Sequence, residues 1–140
     1  MRTNIRKNIK KLLVEFSTLD EFNVSLSIGS NFTHEDLNDE LGKRSEKKIG
    51  NNTVLRRLSN GDIAIRYHYT DIITINIMDN IKVNTGGWDT STTIQRLNKL
   101  LPDNVHLYKK KGELFIKGSN GTFEFMDGMI VNQNGDIHTR

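Results

Sequence analysis

Apolar positions recur along this chain with two different periods, and the change falls near residue 51. Ile5, Ile9, Leu12, Leu13 and Phe16 repeat at helical spacing with Lys7, Lys10 and Lys11 on the other side, predicting an amphipathic helix over about 3–18. The run FNVSLSI alternates like a short strand and stops at Gly29 and Ser30. Thr33 can cap a second helix, with Glu35 and Asp36 in its first turn and Lys43, Arg44, Lys47 and Lys48 in its last. That order of charge complements the helix dipole. Leu37, Leu41 and Ile49 are its only apolar residues, so this helix is expected to be peripheral.

From Asn51 onward the period is two. Strands are predicted over Thr53–Leu58, Asp62–His68, Asp71–Ile77 and Ile81–Thr85, with turns at Asn60-Gly61 and Met78-Asp79-Asn80. Gly86-Gly87 interrupts the alternation, and Trp88 is expected to plug the core beside the break. Asp89 or Thr90 can cap a helix over about 90–101, with Ile94, Leu97, Leu100 and Leu101 toward the sheet and Pro102 as the stop. Two further hairpins are predicted, Val105–Lys109 with Glu113–Lys117, and Thr122–Phe125 with Met129–Val131 turning at Asp127-Gly128. The expected fold is α+β: an N-terminal helical, charged region (1–50), an antiparallel β-meander with one inserted helix (51–131), and a frayed tail (132–140). Residues 51–131 are expected to fold without the first fifty.

Composition narrows the classes. The 140 residues suit one domain, and 35% apolar content allows only a modest core. With no cysteine, thiol catalysis, disulfides and Cys-based metal sites are excluded. Neither a membrane-spanning run nor a signal-peptide core is present, so a cytoplasmic protein without a membrane partner is expected. The net charge of +3 is a weak basic excess, gathered in three clusters: Arg2, Arg6, Lys7, Lys10 and Lys11; Lys43, Arg44, Lys47 and Lys48; and Lys109, Lys110 and Lys111. Each can serve as a solvated face or as a partner contact.

Candidate chemistry is sparse. His68 could act as a base with Asp71 only if Tyr69-Thr70 is a turn or bulge, because residues three apart on a strand face opposite ways. A structural or binding role suits the YHYTD segment better. His34, His106 and His138 share no ligand spacing with it, so no metal, cofactor or catalytic set is expected. The helix start after Gly86, Gly87 and Trp88 could attract an anion or nucleotide near Thr90 and Ser91, helped by Arg66 and Arg96. Capping explains the same residues. Tyr108, Phe115, Phe123 and Phe125 lie beside Lys109–Lys111 and Lys117, a mixture that serves either core packing or single-stranded nucleic acid.

The pieces NTVLRRLSNGDIAIRYHYTDIITI, VNTGGWDTSTTIQRLNKLLP, VHLYKKKGELFI and FEFMDGM keep an order and spacing that resemble a group of short, mostly uncharacterised bacteriophage and prophage proteins. The resemblance runs from Asn52 to Met129 and leaves the first fifty residues outside it. Asp89 stands where a basic residue is expected in the group's GGW-x-T-x-TT pattern. The group lends no catalytic residues. It implies a phage accessory protein that binds a host component, such as an anti-CRISPR or other counter-defence inhibitor acting on a host defence protein or ribonucleoprotein, for example a Cas9-type nuclease. Direct nucleic-acid binding and sequestration of a cyclic nucleotide signal are the alternatives.

Overall fold

In a computed structural model, residues 26–139 are described. The amphipathic helix expected over 3–18, with Arg2, Arg6, Lys7, Lys10 and Lys11, lies outside them.

The alternation from residue 53 onward becomes a continuous antiparallel ladder. Strands β1 (Glu46–Gly50), β2 (Thr53–Arg57), β3 (Ile63–Tyr67), β4 (Thr70–Ile75) and β5 (Ile81–Val83) pair in chain order. β9 (Met129–Val131) then joins β5, and β10 (Ile137–His138) joins β9, completing seven strands. Between β5 and β9 the chain makes an excursion. It forms helix α2 (Ser91–Leu100) and a separate three-stranded sheet of β6 (His106–Lys110), β7 (Glu113–Gly118) and β8 (Gly121–Glu124). The class is α+β, mostly antiparallel sheet with two helices among the described residues.

The first helix, α1 (His34–Leu41), begins as its sequence indicates. The Thr33 hydroxyl accepts the Asp36 amide at 3.1 Å and the Asp36 carboxylate accepts the Thr33 amide at 3.0 Å, a closed capping box. It ends sooner than predicted. Gly42 at φ 60° takes the C-cap, so Lys43, Arg44, Lys47 and Lys48 do not form a last helical turn. Lys47 and Lys48 instead lie on β1, where the Lys47 ammonium pairs with the buried Glu40 carboxylate. Strand β1 reaches the expected boundary at Gly50 and pairs with β2 beyond it. Leu26, Ile28, Phe32, Leu37, Leu41 and Ile49 share one buried cluster with the strands of both sheets. The predicted strand at 22–28 is represented among the described residues by an isolated bridge from Leu26 to Gly50.

Three further expectations are corrected. Met129–Val131 does not form a hairpin with the 122–125 segment; β8 pairs with β7, and β9 is captured by β5, whose free edge it completes. The predicted frayed tail contributes β10, with Ile137 buried and its amide held by the Asn120 carboxamide at 2.9 Å. Trp88, expected to plug the core, is 66% exposed. Leu97, Leu100 and Leu101 fill that position under the sheet, each fully buried.

Candidate functional site: an aromatic-rimmed cleft

Two connections meet at one end of the large sheet. The first is the two-residue turn between β3 and β4, where Tyr67 pairs with Thr70 and leaves His68 and Tyr69 at the tip. His68 adopts φ 55°, a left-handed conformation that histidine tolerates better than most side chains. Tyr69 is thereby thrust into solvent with 99% of its surface exposed. The register shifts on the β4 side just after the turn, so Ile72 has no opposite residue on β3 and joins the wall below Tyr67.

The second connection is the Thr85–Thr90 segment leading into α2. Asp127, from the loop before β9, clamps its start. One carboxylate oxygen accepts the Thr85 amide at 2.7 Å and its hydroxyl at 3.2 Å, and the other accepts the Gly86 amide at 3.0 Å. Gly86 sits at φ 65°, and a Cβ there would fall 2.7 Å from the Thr70 hydroxyl oxygen, so only glycine lets the two connections approach. The Gly87 amide donates to the Thr85 hydroxyl at 3.3 Å and the Trp88 amide to the Thr85 carbonyl at 3.1 Å. The amides of residues 85–88 are therefore used inside the chain. Thr90 caps α2, accepting the Thr93 amide at 3.3 Å.

Between these connections lies a cleft of about 340 Å³. Tyr69 and Trp88 rim it, Tyr67 and Ile72 supply apolar wall, and Thr70, Thr85, Thr90, Thr92 and Thr93 supply hydroxyls. Arg96 lies one turn along α2, buried, with its guanidinium 4.5 Å from the centre of the Tyr67 ring. Its Nε and Nη1 atoms have no hydrogen-bond partner. Burial lowers the pKa of this guanidinium, and contact with Tyr67 opposes the shift.

The residues singled out in the sequence separate in space. Thr90 lines the cleft and Ser91 is exposed at the start of α2. Arg66 does not join Arg96: the pleat turns it to the face opposite Tyr67, across from Asp71. Asp71 in turn lies 3.9 Å from the Arg56 Nε rather than against His68. Among the described residues no group of three His, Asp or Glu side chains could hold a metal ion. Lys43 and Arg44 are exposed in the α1–β1 connection, and Lys109, Lys110 and Lys111 are exposed at the β6–β7 turn. Thr85 and Asp127 were not legible as site residues, because their contacts join segments about forty residues apart.

No described helix is long and apolar enough to cross a membrane. The described residues form an α+β domain with an exposed aromatic rim at one end of its large sheet. The chain belongs to the family described as Kyanoviridae Gp96 protein, whose model matches residues 32–132. That match takes in α1 and β1, which the resemblance from Asn52 onward left out. No curated protein and no solved structure matches the chain significantly.

Proposed function

We propose that this phage protein acts by direct binding to a host defence protein or ribonucleoprotein, a Cas9-type nuclease being the leading case, with Tyr69 and Trp88 as anchors. One observation carries the reading: two large aromatic side chains, 99% and 66% exposed, stand together over a hydroxyl-lined cleft. Tyrosine and tryptophan are the residues that most often dominate binding energy, because each buries a large apolar body while its polar tip finds a partner. Membership in a phage family supplies the biological setting.

The test is a cleavage assay with purified defence nucleases, run with the wild-type chain and with a Tyr69→Ala/Trp88→Ala double variant. The wild type should bind and slow cleavage, and the folded double variant should not. Absence of binding and inhibition across the host's defence complexes would overturn the proposal, as would full activity of the double variant. A thermal shift with a cyclic nucleotide, lost in Arg96→Ala, would move the assignment to nucleotide capture.

A further inference from the structure

The three-stranded sheet has two unlike faces. Leu107, Leu114 and Ile116 point inward and are buried in the common core. On the outward face, His106, Tyr108 and Phe115 form a continuous ring stack. The His106 and Tyr108 rings are 6.2 Å apart with planes 16° from parallel, and Tyr108 and Phe115 are 5.8 Å apart at 25°. His106 and Tyr108 reach this face because they are two apart on β6, and Phe115 because it pairs directly with Tyr108. None of the three belongs to the core cluster.

Two lysines share the face with the stack. On the ring face Lys117 stands opposite His106 and Lys110 follows Tyr108, while Lys111 is exposed at the adjoining turn; Lys109 pairs with Leu114 and belongs to the other face. Glu113 faces Lys110, and Glu124 stands beyond Phe115 on β8, so the acidic groups lie at one end and one edge of the face. The β6 edge is braced by α2: the Asn98 carboxamide donates to the Leu107 carbonyl at 2.9 Å and accepts its amide at 2.8 Å. The platform is thus built on a fixed strand and carries Lys110 and Lys117 on its face.

We infer that the outward face of this sheet binds single-stranded nucleic acid, bases stacking on the His106–Tyr108–Phe115 rings and phosphates meeting Lys110, Lys111 and Lys117. Every base presents a π-face, so stacking of this kind needs no sequence, and lysines beside it track the backbone. A duplex hides its base faces and cannot use the rings. This surface is distinct from the Tyr69–Trp88 rim, so its assignment stands or falls independently.

Fluorescence anisotropy of labelled oligo-dT and oligo-U with the full chain tests it, beginning at about 50 mM salt, where phosphate contacts are favoured. With about three phosphates engaged, a slope near 0.7 per phosphate makes a fourfold rise in salt cost about twenty-fold in affinity. Tyr108→Ala and Phe115→Ala should each weaken binding at least about five-fold, whereas Tyr108→Phe, which keeps the ring, should retain it. Lys110→Gln with Lys117→Gln should flatten the salt dependence, and Trp88→Ala should bind like wild type. Thermal melts confirm that each variant is folded. No anisotropy change at low salt, equal binding to duplex, or wild-type affinity in the two alanine variants would each overturn the inference.

Discussion

The two sheets reach a similar result, aromatic rings presented at the surface, by opposite routes. In the small sheet the rings come from adjacent strands of one tight hairpin, Tyr108 and Phe115 half-buried and His106 exposed. At the end of the large sheet, Tyr69 and Trp88 come from connections brought together by Gly86 and held by Asp127. The hairpin surface is local and regular, which suits a repetitive partner. The rim is assembled from distant residues and is irregular, which suits a single shaped partner. Only the second depends on strand order in the whole domain.

The largest expected effect tests whether the sheets share one core. Removing residues 1–50 deletes β1 together with Leu26, Ile28, Phe32, Leu37, Leu41 and Ile49 from the common cluster. Alternation alone predicts that residues 51–131 stand without them, but with the shared cluster opened the remainder should fail to fold cooperatively, as read by circular dichroism and melting. Ile65→Ala in the large sheet and Ile116→Ala in the small one should each cost about 2–5 kcal/mol, since both side chains are fully buried. Chemical denaturation should show a single transition for each variant. Two separate transitions would divide the sheets into independent units.

Gly86→Ala should cost about 1–3 kcal/mol, because the added methyl meets Thr70 and the left-handed backbone is strained. It should perturb the rim while leaving oligonucleotide binding intact, a separation visible in titrations of both surfaces. Trp88→Ala should change stability by no more than about 0.5 kcal/mol, as a side chain two-thirds exposed. In the wild type, tryptophan emission should lie at the wavelength of a solvated indole. A blue-shifted spectrum would place Trp88 under cover and remove it from the rim.

The smallest effect concerns Asp103, just after α2, whose carboxylate accepts the Ser30 hydroxyl at 2.6 Å and the Asn31 carboxamide at 2.8 Å. These hydrogen bonds, mainly Ser30's, hold its pKa below the ordinary 3.8. A depressed acid stabilises the fold when ionised, so its contribution is complete above the ordinary carboxylate range and fades as pH falls through the lower folded value. The group is exposed, and solvent screening limits the effect to roughly 0.5 kcal/mol. Asp103→Asn should remove that part of the acid dependence in pH-dependent melts.

Most of the large sheet was legible because β2 to β5 alternate cleanly and pair with chain neighbours, whereas β1 read as the last turn of a helix because its lysines complement a helix C-terminus. The Asn60-Gly61 turn and the Thr33 and Thr90 caps were equally local signals. The capture of β9 by β5 was not, since nothing near Met129 identifies Val83 as its partner. Local pattern favoured a hairpin with residues 122–125 instead. The turn at His68-Tyr69 carries no glycine or asparagine, so its tightness was hidden, and with it the full exposure of Tyr69. Trp88 beside a glycine break reads as a plug, and only the packing of Leu97, Leu100 and Leu101 shows that the core was already filled. Tyr108 and Phe115 were visible as aromatic positions, but their common outward face required the β6–β7 register.

The excursion between β5 and β9 also sets an order of events during synthesis. As the chain leaves the ribosome, β1 to β5 can pair as they appear, and the small sheet can close on itself soon after. The exposed edge of β5 must wait until residues 129–131 emerge, and closing that long loop costs entropy before any contact repays it. Asp127 arrives with the same segment, so the Thr85–Trp88 connection takes its final shape only then. A nascent or prematurely terminated chain could therefore display the hairpin surface without the rim, and the ability to grip a shaped partner would be reserved for a finished molecule.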